Sequence, residues 1–235
     1  MNNGTKAPAS GRTPKNTPKS IPKLLRPLVF LLAFLSFACL LGQFFDFWSM
    51  HLFGCWVLPP STLLLAGIAW SRRREQSGSG NPHTWIVQGT LGGILAAAAY
   101  DLYRLPFVLN GAPLFKVFPR FGELLLGAGE PRWVVNLLGW TYHFSNGAAL
   151  GIMFLCLVPR FGPRALLWGA VAWALFVEVM LLLTPYPGYF GLPLNGRFIF
   201  LTASAHLIFG VVLGLWFRWR LRGMTQPAPN AYPLS

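Results

Sequence analysis

The chain has 235 residues, of which 54% are hydrophobic, 15% aromatic and only 11% charged. Soluble domains normally carry about a quarter charged residues, so an ordinary soluble fold is excluded. The net charge of +13 would suit nucleic acid if the basic residues lined one soluble face, but they cluster between apolar stretches, so nucleic acid is excluded as a partner.

Residues 1–22 are rich in Pro, Lys, Thr, Asn and Ser and have little to bury, which predicts a disordered, basic cytoplasmic tail able to hold anionic lipid headgroups. No cleavable signal peptide is expected, because the basic stretch before the first apolar window is too long and no small-x-small site follows it. Six windows are long and apolar enough for a hydrocarbon core of about 30 Å, which takes about 20 helical residues. They run from Val29 to Phe47, Leu52 to Trp70, Thr84 to Val108, Trp133 to Val158, Arg164 to Leu183 and Phe198 to Phe217. The expected fold is therefore all-α, a polytopic membrane helix bundle over residues 23–222 with a short cytoplasmic tail over 223–235.

The first two windows make a hairpin with Asp46 and His51 at its turn, and Pro59-Pro60 should kink the second helix. The connector from Ser71 to His83, with its Ser-Gly-Ser-Gly run, reads as flexible and leaves His83 solvated. The third window carries Gly89, Gly93 and Ala97 at four-residue intervals leading to Asp101, beside a second row of Gly92, Ala96, Tyr100 and Arg104. Small residues let helix backbones approach, so this face is the packed one; it turns Asp101 and Arg104 inward, three residues apart, where they can neutralise each other. Between the third and fourth windows Leu114, Phe115, Phe118, Phe121 and Leu125 recur at helical spacing with Lys116, Arg120 and Glu123 between them. That pattern predicts an interfacial helix or a partly re-entrant cover.

The fourth window holds the run Gly139-Trp140-Thr141-Tyr142-His143-Phe144-Ser145-Asn146-Gly147, with His143, Asn146, Gly147 and Gly151 on one face. The fifth carries Glu178, whose face is mixed enough to allow it either inward or up to the outer interface. The Pro-, Gly- and aromatic-rich segment from Thr184 to Gly196 suits headgroup level and could act as a lid. The last window carries Thr202, His206, Gly210 and Gly214 as one stripe. Cys39, Cys55 and Cys156 show no paired spacing and read as small apolar filler.

Of the 19 Lys and Arg residues, 14 lie in the N-terminal tail, the second-to-third and fourth-to-fifth connections and the C-terminal end. Lys116, Arg120, Arg132 and Arg197 lie in the other loops, which puts both termini in the cytoplasm. With a helical rise of about 1.5 Å per residue, Asp101, Glu178, His143 and His206 all fall within about 15 Å of the outer ends of their spans. Ionisable residues at such depth are costly and mark what lies inside the bundle. Tyr100, Asp101, Arg104, His143, Asn146, Glu178 and His206 are thus the candidates for an outward-facing polar pocket. His143, His206, Asp101 and Glu178 have the ligand types for a divalent metal, the only cofactor the composition suggests. The same groups suit proton relay or small-solute handling, and equally a satisfied network that only fixes helix register.

From about Tyr142 onward, the order YHFSNG, then GAVAWALFVEVMLLLTP, then ASAHLIFG with a basic end resembles small YagU-like inner-membrane proteins of bacteria. That resemblance covers the last three spans and implies an inner-membrane location and a part in acid tolerance. The chain is also similar in residue types to membrane-embedded zinc hydrolases, among them alkaline ceramidases and adiponectin-type receptors, whose spans carry an Asp and three His around the metal. This second resemblance implies a membrane hydrolase with His143, His206 and a carboxylate as ligands and His51 as the third imidazole.

Overall fold

The structure is a computed structural model that describes residues 24–74, 81–127, 129–158 and 162–221. The tails expected over 1–22 and 223–235 and residues 75–80 of the connector lie outside the described residues. Among those described, the elements are all helical: α1 (Leu25–Phe44), α2 (Met50–Trp56), α3 (Leu58–Ser71), α4 (Pro82–Leu109), α5 (Val117–Leu126), α6 (Arg132–Leu157), α7 (Pro163–Leu183), α8 (Tyr186–Tyr189) and α9 (Gly196–Leu221). Four stretches, Leu25–Phe44, Met50–Ser71, Arg164–Leu183 and Gly196–Leu221, are long and apolar enough to cross a membrane, which points to a membrane protein. α4 and α6 have the length, 28 and 26 residues, but carry more of the polar side chains.

Local chemistry sets the helix ends. Asn81 caps α4 by accepting from the His83 amide at 2.9 Å, with Pro82 at the first helical position, where a missing N–H costs nothing. Asn195 caps α9 by accepting from Phe198 N at 2.9 Å. Gly127, at φ +91, ends α5. The break in the second apolar stretch falls at Val57, two residues before the Pro59-Pro60 pair, because prolines are well accommodated in the first turn of α3. Two other expectations are corrected nearby. His83 is not solvated: its Nδ1 lies 2.9 Å from the Ala69 carbonyl, tying α4 to α3. Cys39 and Cys156 are buried, but Cys55 is exposed on α2.

Two antiparallel seams of small residues build the bundle. A Cβ on Gly93 would run into the Gly147 carbonyl and one on Gly151 into the Gly89 carbonyl, so α4 and α6 touch backbone to backbone. On α9, a Cβ at Gly210 would come within 2.6 Å of Val171 Cα and one at Gly214 within 2.8 Å of Leu167 Cα, so α9 lies equally close to α7. α9 also packs along α4, and α1 along α6, giving the order α1, α6, α4, α9, α7 around the bundle. Membrane helices gain little from burying apolar surface against one another, so such close approaches are a main source of their association.

α5 completes one end. Val117, Phe118, Phe121, Gly122 and Leu125 are buried while Lys116, Arg120 and Glu123 stay exposed, as its amphipathic spacing predicts. It lies along the first turns of α6, where Gly122 faces the Val135 carbonyl and Gly139 faces the Phe118 carbonyl. His51 belongs to this end too, with its Nδ1 2.5 Å from the Leu125 carbonyl.

Candidate functional site

Each seam carries an ionisable pair one turn beyond its last close approach. Moving from Gly210 to His206 on α9 and from Ala174 to Glu178 on α7 shifts both helices one turn in the same direction. His206 Nδ1 accordingly sits 3.0 Å from Glu178 Oε2 and 2.9 Å from the Thr202 carbonyl. On the other seam, beyond the Gly93–Gly147 contact, His143 Nε2 lies 2.8 Å from Asp101 Oδ2. Glu178, expected inward or at the interface, is inward: its side chain is only 6% exposed.

Asp101 has a second partner. Arg104 Nη1 lies 3.5 Å from Asp101 Oδ1, close enough for an ion pair but long for a hydrogen bond. The guanidinium is buried, donates through Nη2 to the Leu114 carbonyl, and stands 4.6 Å from the centre of the Tyr100 ring and 5.2 Å from that of Phe115. An arginine cation out of water is thus held by one carboxylate, one carbonyl and aromatic faces, contacts that each stabilise it.

Tyr100 stands between the two pairs, its ring centre 6.2 Å from that of His143 and 5.0 Å from that of His206. Tyr100, Arg104, His143, Asn146, Glu178 and His206 line one cavity of about 110 Å³, together with Phe118 and Phe121 of α5 and Tyr186 of α8. Asp101 does not itself line it and holds His143 from behind. Asn146 has a partly structural role: its Oδ1 accepts from Ser36 Oγ at 2.7 Å, while Tyr142 Oη donates to the Ser36 carbonyl at 2.7 Å, clasping α6 to α1.

The sequence pattern did not identify Ser36, Tyr142 or Tyr186 as part of the site. Ser36 and Tyr142 look like ordinary span residues, and Tyr186 lies in a segment whose aromatics suit any membrane interface. Burial pushes the Tyr186 phenol well above its usual range, with Arg104 opposing, so it remains a hydroxyl.

Among the described residues no group of three or more His, Cys, Asp or Glu side chains gathers closely enough to hold a metal ion. The ligand set His143, His206, Asp101 and Glu178 is therefore not assembled. It divides into two His–carboxylate pairs on either side of Tyr100, and His51 is committed to α5. What the arrangement offers is proton chemistry. Each imidazole has one nitrogen turned to a carboxylate, and the other makes no hydrogen bond among the described residues. Such a pairing fixes the orientation of each ring.

Fold and site together define a helical membrane protein with a buried cluster of ionisable residues. Comparison of the chain with models of protein families, with curated proteins and with solved structures found no match.

Proposed function

We propose that the chain is a six-span protein of the cytoplasmic membrane, with both termini in the cytoplasm, whose outward-opening pocket takes up protons and handles a small solute. The observation that carries this reading is the pair of imidazoles, each held by a carboxylate, lining one cavity with a buried arginine. With both carboxylates ionised and both imidazoles neutral, Arg104, Asp101 and Glu178 leave one net negative charge in the cluster. A net charge away from water is costly, and one added proton removes it. The cluster therefore favours holding one shared proton, which an opening of the cover to water can release.

The second pairing is supported by a buried Glu178 oxygen, Oε1, that has no hydrogen-bond partner among the described residues and is ready to receive that proton or a donor. Basic residues at the opposite end of the bundle, including Arg72, Arg73, Arg218 and Arg220, match a cytoplasmic face in contact with anionic lipids. The likeness of the last three spans to YagU-like proteins points the same way, towards acid tolerance.

Two measurements test this reading. Purified protein in nanodiscs, taken from mildly alkaline to mildly acidic pH against a dye in weak buffer, should take up about one more proton per chain than the Glu178→Gln variant, which removes the surplus negative charge. Equal uptake by the two would remove the proton reading and leave a network that fixes register. Reporter fusions after Gly80, Gly127, Gly162 and the C-terminus should show only the Gly127 fusion outside. An external C-terminus overturns the topology.

A further inference from the structure

The ring of helices around the cavity is not closed by a seam on every side. α7 packs along α9 and touches α8, but no extensive packing joins it to α1 or α6 among the described residues. Phe37 and Leu40 of α1 and Val177, Glu178 and Leu181 of α7 all line the cavity, although the two helices do not pack extensively on each other. Both helices are apolar enough to cross a membrane, so in a bilayer a gap between them would open to hydrocarbon.

Inside, two buried polar atoms have no hydrogen-bond partner among the described residues: Glu178 Oε1, an acceptor, and Arg104 Nε, a donor. Their side chains are 6% and 5% exposed, and both residues line the cavity, whose remaining walls are mostly apolar. Unpaired groups buried this deeply are rare in native structures and imply a partner.

We propose that the cavity binds the polar end of a single-chain amphiphile entering from the bilayer between α1 and α7, its end group an uncharged hydroxyl. This rests on the reading of the pocket as a solute site and names the class of solute. Three observations select it. The volume of about 110 Å³ is below the roughly 150 Å³ of a cavity that holds benzene, which favours a small end group over a phosphate-bearing headgroup. The cluster is neutral with its one shared proton, so a charged end group would reintroduce the cost that proton removes. A hydroxyl both donates and accepts, matching the unpaired carboxylate oxygen and the unpaired guanidinium N–H.

The test uses a dodecanol analogue carrying a diazirine in its chain, photolysed with the full-length protein in phosphatidylcholine nanodiscs and mapped by mass spectrometry. Labelling is expected at Phe37, Leu40, Val177 and Leu181. The same probe ending in methyl instead of hydroxyl should label these positions about tenfold less, the discrimination expected from hydrogen bonds to buried groups. Leu181→Trp, which narrows the edge, should suppress labelling; where that variant does not fold, the comparison of hydroxyl with methyl on the native chain decides alone. Equal labelling by the two probes, or labelling confined to outward residues such as Phe176 and Val179, would mean that water alone serves Glu178 and Arg104, and the inference falls. Proton uptake that survives such a failure leaves the earlier reading standing, whereas selective labelling without proton uptake removes only the earlier one.

Discussion

Asp101→Leu is expected to be far more damaging than Arg104→Met, although the two residues form a pair. Removing the carboxylate leaves the buried Arg104 cation with the Leu114 carbonyl and aromatic faces but no carboxylate in ion-pair contact among the described residues, whatever the charge of the wider cluster, and strips His143 of its partner. An uncompensated buried charge of this kind costs about 3 to 5 kcal/mol. Removing the arginine leaves Asp101 still bonded at 2.8 Å to His143, which can take up a proton and supply the missing positive charge. That loss should be about 1 to 3 kcal/mol, the scale of a hydrogen bond to a charged group. The double change Asp101→Leu/Arg104→Met should recover much of the larger loss, because an apolar pair can replace a buried ion pair at little cost. Unfolding in mixed micelles, followed by tryptophan fluorescence, gives the order directly. Equal losses from the two single variants would show that His143 does not stand in for the arginine.

The asymmetry could not be read from the sequence, where spacing alone makes Asp101 and Arg104 equal partners. Spacing reports neighbours on one helix; the His143 contact depends on how α4 meets α6. Much else was legible for the same physical reason. Apolar windows located the helices because a hydrocarbon core needs about 20 residues. Four-residue rows of Gly and Ala marked the close-packed faces of α4, α6 and α9, and the 3.6-residue recurrence of aromatics marked α5. The orientation of Glu178 was not legible, since Val171 and Leu182 share its helix face, and the register of α7 against α9 is fixed by contacts between the helices, of Gly210 with Val171 and Ala174 and of Gly214 with Leu167. The same limit explains the metal expectation. Four residues at similar depth have the right chemistry, but depth says nothing of Tyr100 standing between the two imidazoles, which separates the ligands into pairs.

The cover over the pocket should open when the α5–α6 seam is overfilled. Gly139 is the residue to change, because a Cβ there would run into the Phe118 carbonyl, and Phe118 is the aromatic ring nearest His143, tilted against it at 4.3 Å between centres. In Gly139→Val, α5 has to move away from α6, carrying Val117, Phe118 and Phe121, three of the cavity's walls, with it. Overpacking a tight contact costs about 1 to 3 kcal/mol. If that cost falls on the closed state, the open population rises about fivefold to 150-fold. A cysteine at Leu182, in a chain with Cys39, Cys55 and Cys156 replaced, lies on the cavity wall and reports the change through its rate of reaction with a membrane-impermeant maleimide. The rate should rise by that factor in Gly139→Val and stay unchanged in Gly67→Val, where an added Cβ meets nothing within 4 Å. Phe118→Ala supplies an independent route, removing the ring from the cover without forcing the helices apart. Should both variants react at the parent rate, α5 does not close the pocket, and access to His143 and His206 has to come through the edge between α1 and α7.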